Sequence, residues 1–302
     1  MPLGIVSATL LLGFTSCSRP ADAFEGKRAF GWLLRQCEFG PRVPGTAAHD
    51  SCFAFLVQTL RGYGDEVEAD TFAYDSPILK SNVRLMNVVA RFRPDLTQRI
   101  LFGAHWDTRA WADRDPEPAK RHMPVLGAND GASGVAVLLE VARLLKKSGP
   151  TVGVDIVLFD GEDLGSEADP NGYFRGSNRY VEQIAGQKPP LFVIILDMVG
   201  KKDLALHWEG NSRNLASNIV DLVWGEANEL GVRSFRSDVH HTVFDDHTPF
   251  LNAGIPAIDV IDFAYPEWHT THDTPEKCSA ESLEGVGQVL LSLAHKRNFL
   301  SN

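Results

Sequence analysis

No Cys-x-x-Cys pair exists among the cysteines Cys17, Cys37, Cys52 and Cys278. A thiolate zinc site needs such closely spaced ligands, so that class of metal site is excluded. Positive charge is also in short supply. Against 39 Asp and Glu stand 29 Lys and Arg, a formal net charge of -10, and no stretch gathers the basic residues needed to neutralise phosphate. A nucleic-acid surface is therefore not expected, and the acidity by itself asks for nothing beyond solubility. Internal repeats and low-complexity tracts are absent, which removes solenoids and disordered arrays. No apolar run reaches the roughly 20 residues of a membrane-spanning helix.

What is present begins with a short apolar leader. Residues 1–16 carry Leu3, Ile5, Val6, Leu10, Leu11, Leu12 and Phe14 with no charged side chain, and then meet Cys17-Ser18-Arg19. That length and position fit a secretory h-region. Phe14-Thr15-Ser16-Cys17 resembles a bacterial lipobox, with Cys17 as the residue to be lipidated. The expected organisation is a signal peptide over 1–17, a polar linker over 18–25 and one folded domain over 26–302, exported to the periplasm or cell surface. Membrane contact is expected only through a lipid on Cys17. The 44% hydrophobic content is ordinary for one sizeable core. Cys37 and Cys52 fall on adjacent predicted helices and can either pair in an oxidising compartment or stay as buried thiols.

Phe30, Trp32, Leu33 and Leu34, then Phe53, Phe55, Leu56, Val57 and Leu60, predict two amphipathic helices. The stiff turn Phe39-Gly-Pro-Arg-Val-Pro-Gly-Thr46 separates them, and the Thr46 hydroxyl can cap the second. Strands are predicted at 86–92, 100–104, 154–159, 191–196 and 255–261, and helices at 135–145, 176–184, 215–230 and 283–293, with a short one after 244–251. Strands alternating with helices give an α/β sheet covered on both faces, and ligands in such folds collect beyond the strands' carboxyl ends.

The chemistry lies at those ends. The apolar run from Val154 stops abruptly in Asp160, Glu162 and Asp163 around one glycine. Carboxylates so close repel one another and need cations, hydrogen bonds or raised pKa values, and a metal ion meets all three needs. A solvated acidic turn is the competing reading. Strand 100–104 runs into His105-Trp106-Asp107, and strand 191–196 ends at Asp197. Small residues on both sides of Asp130, in Leu126-Gly-Ala-Asn-Asp-Gly-Ala-Ser-Gly134, allow a tight fold at a helix start. The loop from Tyr265 to Pro275 holds His269. Singly, a strand-end Asp is usually a turn former and a lone His a surface or satisfied core residue. Jointly, His105, Asp130, Glu162, Asp163, Asp197 and His269 can meet in one cleft, and imidazole with carboxylate is a zinc-type ligand set.

In order along the chain, Gly103-Ala-His105-Trp-Asp107, Gly127-Ala-Asn-Asp130-Gly-Ala-Ser-Gly134, Phe159-Asp-Gly-Glu162-Asp163, Leu196-Asp197-Met, Asp245-Asp246-His247 and Trp268-His269-Thr270 resemble the zinc aminopeptidase and glutaminyl cyclase family. The likeness covers roughly residues 25 to 297. It implies a three-layer fold with a mixed, mainly parallel sheet between helices. It implies Asp130, Asp163 and His269 as zinc ligands and Glu162 as a proton shuttle. In dinuclear members the positions of His105 and Asp197 hold a second zinc, with Asp130 bridging; here one ion is expected and two are allowed.

Several features are similar to the cyclases, above all their bacterial members: Gly40-Pro-Arg-Val-Pro-Gly-Thr46, His105-Trp-Asp-Thr-Arg109, Glu162 followed by Asp163 where aminopeptidases commonly carry a second Glu, the doubled Asp245-Asp246, and Trp268 directly before His269. The resemblance then implies conversion of the N-terminal glutamine of a peptide or protein to pyroglutamate with release of ammonia. Trp268 and Trp106 are expected in the substrate pocket, core filling being the competing role for Trp268. Asp197 and Asp245 are expected to share an acid network with Glu162. The alternatives are a zinc aminopeptidase, in which Glu162 activates water, and a noncatalytic zinc-binding surface module, which has no use for Glu162. His49, His122, His207, His240, His241, His247 and His272 are expected at the surface or in support, with His247 orienting a neighbour.

Overall fold

The apolar runs of the chain become strands buried along their whole length: β4 (Gly153–Phe159), β5 (Val193–Asp197) and β8 (Ala257–Ile261) expose no residue. Continuous burial of that kind requires helices on both faces of a sheet. The computed structural model, which describes residues 23–166 and 169–296, shows that arrangement. β3 (Arg99–His105) lies between β4 and β5 and runs parallel to both, and β5 pairs in parallel with β8. On the other side β2 (Ser81–Phe92) pairs antiparallel with β4 and with the long edge strand β1 (Glu66–Ser76). The order is β1-β2-β4-β3-β5-β8, a mixed sheet with four of its six strands parallel. The apolar leader, the lipobox and Cys17 lie outside the described residues. Among the described residues no helix is long and apolar enough to cross a membrane.

Strand alternation divides the core in two. Phe102, Ile156, Ile194 and Val260 face one way, into a core shared with α1 (Gly26–Cys37), α2 (Ala47–Arg61), α3 (Ala132–Ser148) and α8 (Ala280–His295). Leu101, Val157 and Ile195 face the other way, onto Tyr180 of α4 (Arg175–Ile184) and Phe250 of α7 (His247–Asn252). The parallel register sets His105 opposite Phe159 and Asp197 opposite Ile261. Consequently the last residues of β3, β4, β5 and β8 finish at one edge, and the polar residues just beyond them are delivered together. Thr46 caps α2 as expected, its hydroxyl accepting from the His49 amide at 3.3 Å.

Four elements were not foreseen. β1 was not foreseen, because Glu-Val-Glu-Ala-Asp-Thr carries charge on an edge strand that is largely exposed; its stability comes from eleven residues of pairing with β2. The helix expected over 215–230 is found as α6 (Ser217–Glu229), but the short α5 (Gly210–Leu215) ahead of it, separated at Ala216, was not foreseen; Glu209 caps α5 by accepting from the Asn211 and Ser212 amides. A small parallel pair, β6 (Leu206–Glu209) and β7 (Phe235–His241), was also missed, since its residues are mostly polar. Cys37, Cys52 and Cys278 are free thiols, so of the two states open to Cys37 and Cys52 the unpaired one is found. Burial pushes Cys37 up to about 11 and Cys52 up to about 12, far from the thiolate form that oxidises.

Trp106 is not in the substrate pocket. It follows His105 on an extended segment, so its side chain turns to the opposite side, where it is fully buried. Its indole N–H donates to the Met86 carbonyl at 3.0 Å and its ring stacks on His49 at 4.3 Å. His49 is likewise interior: Nε2 donates to both carboxylate oxygens of Asp160, at 2.9 and 3.0 Å, and the Met86 amide donates to the same carboxylate. Asp160 is thereby spent on structure, and stripping either partner from such a buried pair costs about 3–5 kcal/mol.

Candidate metal centre and active site

Two of the loops that carry ligand candidates are held by buried side chains. Arg42 donates from Nη1 to the Leu126 carbonyl and from Nη2 to the Gly127 carbonyl, both at 2.7 Å, bending the chain ahead of α3. Asp273 accepts from the Asn129 amide at 2.9 Å, the Asp130 amide at 3.1 Å and the Tyr265 hydroxyl at 2.8 Å. Residue 131 must be glycine, because a Cβ there would lie 2.4 Å from His105 Nε2. On the second loop Asp107 accepts from the amides of Glu162 at 3.1 Å and Asp163 at 3.2 Å. Arg109 donates to Asp163 Oδ1 at 3.0 Å and to the Gly165 carbonyl at 3.2 Å.

These supports bring the expected residues together as two triads sharing Asp130. His269 Nε2 is 3.3 Å from Asp163 Oδ1 and 4.0 Å from Asp130 Oδ2. His105 Nε2 is 2.9 Å from Asp130 Oδ1 and hydrogen-bonded to Asp197 Oδ1 at 3.3 Å. The other nitrogen of His269 faces Asp113 at 3.3 Å, the kind of support that fixes a ligating ring. The two triads differ in one respect. Asp163 Oδ2 is a buried acceptor without a hydrogen-bond partner, whereas in the other triad the unpartnered atom is a ring nitrogen, His105 Nδ1, which faces Asp107 at 3.5 Å and not the triad. A buried oxygen without a donor is costly unless a cation serves it, and two carboxylates with an imidazole match the zinc donor set. A third group, Asp115 with Glu117 and His272, is mostly exposed; Asp115 is occupied in accepting from the Thr271 amide and hydroxyl.

Electrostatics sort the acids by role. Burial alone would raise the Asp163 carboxyl, but His269 and Arg109 outweigh it and hold the group below the usual carboxylate range. Burial likewise lowers His269, yet Asp163 and Asp113 bring it to about 9. Glu162 is pushed well above the ordinary glutamate value, by burial first and then by Asp163 and Asp245. Asp197 and Asp245 are also raised, burial being the main cause. Asp259 of β8 is pushed well above the usual carboxylate range, by burial first and then by Asp245 and Asp197, so the acid group behind Glu162 continues into β8. Both Asp259 oxygens are buried without a hydrogen-bond partner, as a neutral carboxyl tolerates better than a charged one.

Glu162, Asp163, Asp197 and Asp245 open onto a cavity of about 530 Å³. Its wall is apolar, with Ile261, Phe263 and Trp268 among the lining residues. The Trp268 ring stacks on His269 at 3.9 Å and meets Phe263 at 4.9 Å. Trp268 therefore lines the cavity beside the triad and is half-buried.

Residues 87–294 match the family model described as Peptidase family M28. The chain belongs to that family. Among solved structures, Porphyromonas gingivalis glutaminyl cyclase is 37% identical, with 90% of this chain and 98% of that chain covered at a TM-score of 0.85. A leucine aminopeptidase precursor from Bacteroides thetaiotaomicron is 34% identical over 91% of this chain and 98% of that chain, at 0.87. The glutaminyl-peptide cyclotransferase of Drosophila melanogaster is 26% identical over 281 residues, 83% of this chain and 75% of that protein. The M28 membership agrees with the resemblance carried by the ordered motifs.

Within this M28 site, His105, Asp130, Glu162, Asp163, Asp197 and His269 do meet, and Asp245 and Trp268 join them at the cavity. His247 is buried with Nε2 3.3 Å from Glu209. Sequence reading missed Asp107, Asp259 and Asp273, and the cavity residues Phe174 and Phe244. Asp107 stood inside a motif already quoted and was the one with a readable signal, a carboxylate two residues after a strand-end histidine.

Proposed function

We propose that this chain is a zinc-dependent glutaminyl-peptide cyclotransferase, acting on peptides or proteins with a free N-terminal glutamine. The observation that carries the reading is the half-buried Glu162, its carboxyl raised, in one apolar-walled cavity with the Asp130, Asp163 and His269 triad. The likeness to the glutaminyl cyclase of Porphyromonas gingivalis and the glutaminyl-peptide cyclotransferase of Drosophila melanogaster supports it. A noncatalytic module would have no use for Glu162 in that position.

Asp130, Asp163 and His269 would hold the zinc, which supplies a Lewis acid for the γ-carboxamide of the glutamine. The neutral α-amine attacks Cδ of its own side chain, and Glu162 accepts the proton that this nitrogen sheds. As the bond from the α-nitrogen to Cδ forms, Glu162 gives that proton to the amide nitrogen, the bond from Cδ to it breaks, and ammonia leaves the lactam. The nucleophile is tethered, so the step draws on proximity. Trp268 and Phe263 keep water from the acyl carbon, as the reaction consumes none. Burial, Asp163 and Asp245 raise the Glu162 carboxyl toward the range where it can both take and give a proton, with Asp197 beside them in the same cavity.

The test is ammonia release from a glutaminyl dipeptide beside leucine release from a leucyl dipeptide, with zinc counted on the same sample. Ammonia with one zinc per chain is expected. Leucine without ammonia would move the assignment to an aminopeptidase, and neither product from zinc-loaded protein would leave the binding module. We further propose export with lipidation at Cys17; labelled palmitate should be incorporated by the full chain and not by Cys17→Ser, and equal labelling would refute it.

A further inference from the structure

Two phenylalanines of the cavity are placed in ways that folding alone does not explain. Phe174, just ahead of α4, has φ +56 and ψ +35, the left-handed region that a bulky residue rarely adopts. Its backbone is fixed on both sides: the amide donates to the Glu162 carbonyl at 3.1 Å, and the carbonyl accepts from the Asn178 amide at 3.0 Å and the Asn178 side chain at 2.7 Å. Glycine would meet those demands without strain, so the ring is what this position retains. The ring is half-buried, lines the cavity and lies 5.6 Å from that of Tyr173. Strained residues of this kind gather where ligands are held.

Phe244 immediately precedes Asp245 in the link from β7 to α7. It is 73% exposed, yet it lines the same cavity. Trp268, stacked on His269, lies directly beside the triad. Phe174 and Phe244 arrive from other elements and add to the apolar wall, Phe244 with most of its surface open to solvent. A cavity of about 530 Å³ holds a drug-sized ligand, more than a single glutaminyl residue.

We propose that Phe174 and Phe244 form a second subsite, at the mouth of the cavity, for an apolar or aromatic side chain on the residue that follows the N-terminal glutamine. The assignment rests on the cyclase reading and narrows its substrates to peptides of that class. Both rings present flat apolar area at little entropic cost, which suits an aromatic side chain best. A polar or glycine second residue gains nothing there.

The experiment measures kcat/KM for ammonia release from the amides of Gln-Gly and Gln-Phe, using zinc-loaded wild type, Phe244→Ala and Phe174→Gly, with melting temperatures alongside. Wild type should prefer Gln-Phe by roughly tenfold or more, and the ratio should fall toward one in both variants. Phe244→Ala changes an exposed side chain, and Phe174→Gly places a residue at ease with positive φ, so both should melt close to wild type. Equal values for the two peptides in wild type, or a preference that survives both substitutions, overturns the subsite. Ammonia from neither peptide in wild type would instead bring down the cyclase reading, and the subsite with it.

Discussion

Glu162→Gln is expected to retain its zinc and lose turnover by about 100- to 10,000-fold, the range for removing a general acid–base group. The substitution preserves shape and the amide hydrogen bond to Asp107, which involves the backbone of residue 162 and not its side chain. The triad atoms belong to Asp130, Asp163 and His269, so metal content should be unchanged. What disappears is a group able to hold a proton between the α-amine and the leaving nitrogen. The wild-type kcat/KM should fall as pH drops, because a protonated Glu162 cannot accept, and burial sets that fall above the ordinary glutamate range. The variant should lack this acid limb. Near-normal kcat with intact zinc would remove Glu162 from the reaction.

Why this much was readable, and no more, follows from how each residue does its work. His105, Asp130, Glu162, Asp163, Asp197 and His269 sit where buried apolar strands stop or small residues cluster, and those breaks are visible in a one-dimensional pattern. Asp107 and Asp273 act by accepting backbone amides from segments 55 and 143 or more residues away, and nothing local marks such a carboxylate. Trp106 was misplaced because adjacency to His105 in the chain was taken for adjacency in space, whereas consecutive residues of an extended segment face opposite sides. Phe174 escaped because positive φ is ordinarily announced by glycine. β1 escaped because edge strands are kept charged, which erases the apolar alternation that reveals a strand.

Asp163→Ala and His269→Ala should each lose zinc on dialysis, with activity falling to the metal-free background. Three protein ligands hold a catalytic zinc, and removal of one leaves two side chains that the unbound site cannot keep in place. Asp163→Ala does further damage, since it leaves Arg109 buried with only Asp113 and carbonyl oxygens as acceptors. Asp113→Ala provides the graded comparison. It takes away the partner of His269 Nδ1 without touching the triad, and loss of such support typically weakens metal binding by about 10- to 100-fold. Asp197→Ala discriminates between one ion and two: with a single zinc on Asp130, Asp163 and His269 the count per chain stays the same, while a second ion held by His105 and Asp197 would halve it. Metal analysis of the four variants against wild type therefore orders the ligands. Full zinc in both Asp163→Ala and His269→Ala would mean that the ion, if bound at all, sits elsewhere, and the chemistry assigned to Glu162 would lose its electrophile.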